Sequence, residues 1–356
     1  AKMGEVLTNS QIGGRRNIVI NGAMQVAQRA TSATGLGNAN DYAVVDRFRF
    51  NFSNTAGRFT ASQVASGLSG FGNALKLDCT TADTSIASNE FGVVQYNIEG
   101  QDLQQFKKGT SDAEKYTLSF YVKGTAKTYA VELFDGDNTR SVSSLFNVTT
   151  SWNRISITFP ADTTGAYDDD NATSLSINFA LHMGSDTTSG TLQTTWGGLS
   201  ATSRYAGIDS FFSSTDNEFF LTGVQLEVGS QATPFEHRSF GEEQMLCYRY
   251  LYAPVSNDDY GHFGTGLGAS STIAYHNIPL PVRMRAVPSV TTSGNLRHYA
   301  GDGGHAITSG PTILNGGQSV FSVQATASGG GIEVREAMFL TANNDTTAQM
   351  LFDAEL

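Results

Sequence analysis

The chain has 356 residues, enough for two domains that each bury a core of their own. Only 15% of residues are charged and the net charge is −11, which opposes a polyphosphate partner or an anionic membrane surface, since nucleic acid calls for a basic stripe that displaces counterions. With 38 Gly, 22 Phe and 13 Tyr among short β-branched runs and turn clusters, the chain reads as all-β throughout.

Taken in chain order, residues 1–16 are polar and Gly-containing and read as an N-terminal arm or connector. The start, Ala1-Lys-Met-Gly-Glu-Val6, lacks the apolar core of a secretory leader, and its opening on Ala is what a fragment, a processed chain or simple removal of the initiator Met would each produce. From Asn17 to about Arg238 the texture is that of a jelly-roll β-sandwich. Alternating runs cover residues 47–52, 74–78, 116–123, 129–134, 152–159, 175–181 and 219–228. Period-two alternation buries one face of each strand and wets the other, which suits two sheets packed face to face. Between Leu181 and Phe219 a stretch rich in Gly, Ser and Thr carries Trp196, Tyr205, Phe211 and Phe212, the pattern of an ordered functional loop.

A helix is expected over residues 239–252, with Ser239 as N-cap and Glu242 and Glu243 at the positive end of its dipole; it reads as a short bridge between domains. A smaller β-sandwich is expected over 253–356, with strands at 272–280, 288–292, 320–324, 331–335 and 348–356. No run of 18 apolar residues offers a membrane span. Cys79 and Cys247 lie in different predicted elements and read as two buried free thiols, with a single disulfide as the alternative.

Two resemblances follow from particular residues. Tyr116-Thr-Leu-Ser-Phe-Tyr-Val-Lys-Gly124, Thr150-Ser-Trp-Asn-Arg154 and Phe219-Phe-Leu-Thr-Gly-Val-Gln-Leu-Glu227 resemble the core of carbohydrate-binding-module jelly rolls of the galactose-binding-like class. That resemblance implies a lectin-like sandwich. The family often holds a structural calcium through an acidic pair just before the Val-Gln-Leu strand, where this chain has Thr222-Gly223. The second resemblance spans most of the chain. Gly14-Arg-Arg-Asn-Ile-Val-Ile-Asn-Gly-Ala-Met-Gln-Val-Ala-Gln-Arg29 is similar to the opening of many tailed-phage tail-fibre and virion structural proteins. So are Val224-Gln-Leu-Glu-Val-Gly229 with Ala232-Thr-Pro-Phe-Glu236, Cys247-Tyr-Arg-Tyr250, Met284-Arg-Ala-Val-Pro288 and Asp353-Ala-Glu-Leu356. This resemblance implies a place on the virion, at the tail or capsid exterior, among other virion proteins and as a homotrimer.

Catalytic signatures are scarce: there is no Gly-x-Ser-x-Gly elbow, no His-Glu-x-x-His and no phosphate-binding Gly-rich loop with a Lys. Glu132, Asp135 and Asp137 cluster in a turn sequence that reads either as a plain turn or as a calcium loop, so Asp135 and Asp137 are the candidate metal ligands and Ca²⁺ the candidate ion. Asp168, Asp169 and Asp170 read as a solvated loop. His298, His305 and Asp302 form the closest histidine grouping, with loop histidines in a Gly-rich turn as the simpler reading.

Sugars present flat C–H faces to aromatic rings and hydroxyls to amides and guanidiniums. Trp196 and Tyr205, with Gln193 and Arg204 close by, are therefore the candidate ligand-binding residues; the competing reading has these rings pinning the loop or filling a subunit contact. A second aromatic set, Tyr260, His262, Phe263, Tyr275, His298 and Tyr299, lies among glycines in the smaller domain. The expectation is a non-enzymatic virion fibre or receptor-binding protein that adheres to a host-surface glycan, without nucleic acid or membrane insertion. The alternative is a head-decorating or tail-connector protein that binds no sugar.

Overall fold

The computed structural model describes residues 16–301 and 303–356, so the expected N-terminal arm lies almost wholly outside the described residues. They form two compact units: one runs through Glu243 and takes in Leu356, the other is Gln244–Glu355. Both are all-β.

The strands of the first unit are β1 (Ser32–Leu36), β2 (Asn40–Asp41), β3 (Phe48–Ser53), β4 (Arg58–Ala65), β5 (Asn73–Thr81), β6 (Phe91–Glu99) and β7 (Tyr116–Gly124). They continue with β8 (Lys127–Asp135), β9 (Arg140–Val148), β10 (Asn153–Phe159), β11 (Thr173–Met183), β12 (Gly197–Gly198) and β13 (Glu218–Val228). Two antiparallel sheets result, in the orders β1-β4-β5-β13-β7-β10 and β12-β9-β8-β11-β6-β3-β2. Alternation sets which side chains meet between them; β3, for example, buries Phe48, Phe50 and Phe52 and turns Arg49 and Asn51 outward.

Rings from the two sheets meet edge-on: Phe50 with Phe59 at 5.5 Å, Phe120 with Phe179 at 5.0 Å, and Tyr129 with Phe219 at 5.7 Å. Each such ring contributes about 2–3 kcal/mol by leaving water, so this aromatic layer is the principal adhesive of the sandwich. At Thr222-Gly223 the β13–β7 register shifts, and Gly223 takes φ +60. A Cβ there would come within 2.9 Å of the Phe71 and Tyr121 rings, so the position serves a glycine bulge.

From Arg16 to Arg29 the opening motif forms no strand; it is mostly buried loop, held by asparagines. Asn17 Nδ2 donates to Val224 O at 3.1 Å, and its Oδ1 accepts from Leu226 N at 3.2 Å. Val224 N donates to Gly22 O at 2.9 Å, and a Cβ on Gly22 would lie 2.1 Å from Val224 O. Glu236 Oε2 accepts from Asn17 N at 2.6 Å, and Gln225 Oε1 accepts from Glu236 N at 2.9 Å. Three of the sequence motifs are thus one clasp that fastens the chain's opening to its last sandwich strand.

Helix α1 is the single turn Ser185–Thr188, and α2 runs Phe240–Tyr248. Ser239 Oγ accepts from Glu242 N at 3.3 Å while Glu242 Oε2 accepts from Ser239 N at 2.9 Å, the reciprocal capping expected there. The boundary between the units falls inside this helix. It ends four residues earlier than expected because Leu251–Tyr252 forms strand β14 instead.

The second unit continues with β15 (His262–Gly268), β16 (Ile273–Pro279), β17 (Ser289–Ser293), β18 (Leu296–Ala300), β19 (Gly303–Gly316), β20 (Val320–Ala327), β21 (Ala337–Ala342) and β22 (Gln349–Asp353). A second sandwich was expected here. Instead β15-β16-β20-β19-β18-β21 close into a barrel, beside a three-stranded sheet β14-β22-β17. Closure rests on β15, which pairs with both β16 and β21. Its glycines permit it: a Cβ on Gly266 would lie 1.9 Å from Tyr275 O. The expected strand at 331–335 is a turn instead, with Gly331 and Arg335 at φ +98 and +70.

The remaining motifs form a second clasp within this unit. Arg285 N donates to Arg249 O and Ala354 N to Tyr250 O, both at 2.8 Å, and the Arg285 guanidinium donates to the carbonyls of Ala354 and Glu355 at 2.8 and 3.0 Å. Cys79 and Cys247 are buried free thiols. Among the described residues no helix is long and apolar enough to cross a membrane.

Candidate functional site

The long segment between β11 and β13 lies on the outer face of the seven-stranded sheet, and its expected ligand-binding residues turn inward. Tyr205 is fully buried, its hydroxyl donating to Glu132 Oε2 at 2.6 Å. Arg204 grips the same buried carboxylate with two bonds, Nε to Oε1 at 2.8 Å and Nη2 to Oε2 at 2.7 Å. Asn178 donates to Glu132 Oε2 at 2.9 Å and accepts from Gln95 at 2.9 Å, extending the network across the sheet. Gln193 donates to Ser141 O at 2.8 Å, and Trp196 donates its indole N–H to Pro160 O at 2.9 Å. Trp196 also packs on Tyr116 and against the sandwich core. A ring without exposed face cannot stack on a sugar, so Tyr205 is a tether. Gln193, Trp196 and Arg204 spend their polar groups on the same tethering.

Asp135 is equally committed. It is buried, and Lys108, also buried, places its ammonium 2.5 Å from Asp135 Oδ2 and 3.2 Å from Asp162 Oδ2. The same ammonium donates to the carbonyls of Thr164 at 2.9 Å and Gly165 at 2.7 Å. Two carboxylates and two carbonyls are an oxygen shell of the sort calcium takes; here a lysine fills it. The Arg140 guanidinium and Lys108 hold the Asp162 carboxyl below the usual carboxylate range despite its burial. Asp137 sits in the exposed turn and accepts from Asp168 N at 3.0 Å, away from this shell.

Several exposed aromatics lie on the barrel. Inward positions of β16, β18 and β21 hold Ala274, His276, Ile278, His298, Met338 and Leu340, all buried. Outward positions carry Tyr275 (41% exposed), Tyr299 (42%), Phe339 (42%) and, on β15, Leu267 (53%). Register aligns them: Tyr275 opposes Leu267, Thr265 opposes Phe339, and Phe339 opposes Tyr299. Two neighbouring rungs of outward side chains result, Tyr275–Leu267–Ala337 and Asn277–Thr265–Phe339–Tyr299, two residues apart along β15. The His262 ring meets Phe339 at 4.8 Å. At the other end the Arg297 guanidinium lies 4.2 Å from the Tyr260 centroid and 4.8 Å from that of Tyr299, donating to Thr341 Oγ1 at 3.2 Å. Gly304 makes room for it, since a Cβ there would come within 2.7 Å of the guanidinium.

Of the second aromatic set in the sequence, the structure brings Tyr260, His262, Tyr275 and Tyr299 to this face. It buries His298, whose Nδ1 lies 2.8 Å from His276 Nε2 inside the barrel. Phe339, Leu267 and Arg297 were missed by sequence reasoning. The alternation of Ala337-Met-Phe-Leu-Thr-Ala342 was the available signal, with Met338 and Leu340 inward and Phe339 outward.

No protein-family model matches this chain, and no curated protein matches it. Among solved structures it is similar to the enzymatically active domain of tailspike protein 4 of bacteriophage CBA120, at 14% identity and TM-score 0.31, over 60% of this chain and 21% of that one. It is also similar to the family 11 carbohydrate-binding module of a Clostridium thermocellum cellulosomal cellulase (13% identity, TM-score 0.30, 56% of this chain and 98% of that one). An exo-β-agarase matches at 8% identity and TM-score 0.32, over 62% of this chain and 25% of that one. At such identities and scores none of them says what this chain binds or does.

Proposed function

We propose that the chain is a non-catalytic, receptor-binding protein of a phage virion, in which the outer face of the barrel adheres to host-surface glycan. The observation that carries this reading is the patch formed on two neighbouring rungs by Tyr275 and Leu267 and by Phe339 and Tyr299, with Arg297 beside Tyr299: exposed rings for sugar C–H surfaces beside a guanidinium for hydroxyl or carboxylate oxygens. The ordered motifs shared with tail-fibre and virion proteins support the venue, and homotrimeric assembly with other virion proteins belongs to the same reading. Adhesion without catalysis fits the state of two acids of the Glu132–Asp137 cluster: Glu132 is engaged by Arg204 and Tyr205, and Asp135 by Lys108.

The test is a glycan array of bacterial surface polysaccharides, probed with wild type and a Tyr299→Ala/Phe339→Ala double variant. Saturable binding lost in a folded variant supports the reading; binding unchanged in the variant refutes it. A second reading, a decorating or connector subunit, is favoured by one feature of the same face: Leu267 has no polar atom to offer a sugar and suits a protein surface. Under that reading wild type binds no glycan, and the double variant loses oligomer or virion assembly instead.

A further inference from the structure

At one end of the sandwich three loops and the close of β11 converge on Asp83, Glu90 and His182. All three side chains are buried, and one ligand atom from each lies within 4.8 Å of the others. His182 Nε2 is 2.6 Å from Glu90 Oε2, and its Nδ1 is 2.7 Å from Ser210 Oγ. Asp83 Oδ2 accepts from Thr55 Oγ1 at 2.9 Å and Ala56 N at 2.7 Å, while its Oδ1 has only a 3.3 Å bond from Ser85 N.

Charge distinguishes this cluster from buried Asp135, Asp162 and Glu132. Asp135 and Asp162 share Lys108, and Glu132 has Arg204. Among the described residues neither Asp83 nor Glu90 has an ion pair with Lys or Arg; the His182 imidazole lies against them, and Arg58 nearby directs its guanidinium to the carbonyls of Thr55 and Gly57. Two buried carboxylates against one imidazole leave negative charge in a low-dielectric place, which a divalent cation would neutralise.

We propose that Asp83, Glu90 and His182 form a binding site for a first-row divalent cation of the Zn²⁺ type. One imidazole nitrogen with two carboxylate oxygens is a donor set suited to zinc, with water completing the tetrahedron; calcium takes oxygen throughout. Ser210 makes the exchange feasible. Without metal, Nε2–H donates to Glu90 and Nδ1 accepts from the serine hydroxyl. With metal, Nε2 must present its lone pair, so the proton moves to Nδ1 and donates to Ser210 Oγ. A hydroxyl serves either tautomer, and it orients the ring in both. The bound ion would tie the loop after β5, which supplies Asp83 and Glu90, to the end of β11, which supplies His182.

The test uses the whole chain, stripped with a chelator and titrated with Zn²⁺ against a chromophoric competitor, with Co²⁺ absorption reporting ligand geometry. One Zn²⁺ per chain is expected, with tetrahedral Co²⁺ bands. His182→Gln should weaken binding at least tenfold, and Ser210→Ala, which keeps every ligand, by about 10–100-fold. Ca²⁺ at equal concentration should not compete. No binding by wild type, equal binding by His182→Gln, or displacement by Ca²⁺ would each overturn the proposal. Should His182→Gln fail to fold, Ser210→Ala and the Co²⁺ spectrum decide it alone.

Discussion

At the scale of single residues, the first unit disposes of its buried charge in local ways. Lys108 is the clearest case: an ammonium with no exposure, ringed by two carboxylates and two carbonyls. Removing one partner of such a pair leaves uncompensated charge in the interior, at about 3–5 kcal/mol. Lys108→Met should therefore lower the unfolding free energy by that amount in urea titration, while Lys107→Met, an exposed neighbour, should change it by less than about 1 kcal/mol. A Lys108→Met protein as stable as wild type would contradict this account of Asp135. Tyr205→Phe makes the companion case. It removes one hydrogen bond to a buried, charged carboxylate, so a loss of about 1.5–3 kcal/mol is expected with glycan binding unchanged.

At the scale of elements, two features govern: the clasp and the barrel. Gly22 lies against Val224 O so closely that any Cβ collides with backbone. Gly22→Ala should destabilise the first unit by about 1–3 kcal/mol, seen as a lowered melting temperature; a neutral result would mean the opening segment is not fastened as described. In the barrel, burial pushes His276 down to about 3, with the neighbouring His298 charge adding to it. Burial likewise pushes His298 down to about 4. In the unfolded chain both titrate near 6.5. Between those limits the unfolded state binds more protons, so the barrel is most stable above pH 6.5 and weakens as pH falls toward 4. Amide exchange in β16 and β18, corrected for its intrinsic rate, should accelerate across that window; a flat profile would contradict a neutral buried pair.

At the scale of the whole molecule, much of the fold was legible and little of the site. Strands such as β3 and β10 announce themselves by strict alternation, because each has one wetter face; β7 alternates in sequence too, but its Thr117 and Ser119 are buried. The barrel was read as a sandwich because strand spacing does not record closure, which depends on glycines in β15 that look like turn residues. The segment around Trp196 and Tyr205 was recognisably ordered, but a tethering tyrosine and a sugar-stacking one are the same letter; only the buried Glu132 separates them. The motifs that resemble tail-fibre proteins are structural clasps, so they bear on the fold and not on a ligand. On the proposed reading, adhesion by one such shallow patch would be weak singly, and a trimer presenting three copies would raise avidity by about 10²–10⁴. The most direct test is a binding isotherm of the fluorescent protein on host cells for wild type, Trp196→Ala and Tyr275→Ala/Phe339→Ala. The account predicts saturable binding retained in folded Trp196→Ala and lost in the barrel variant. Loss in Trp196→Ala with full retention in the barrel variant would return the site to the sandwich and contradict it.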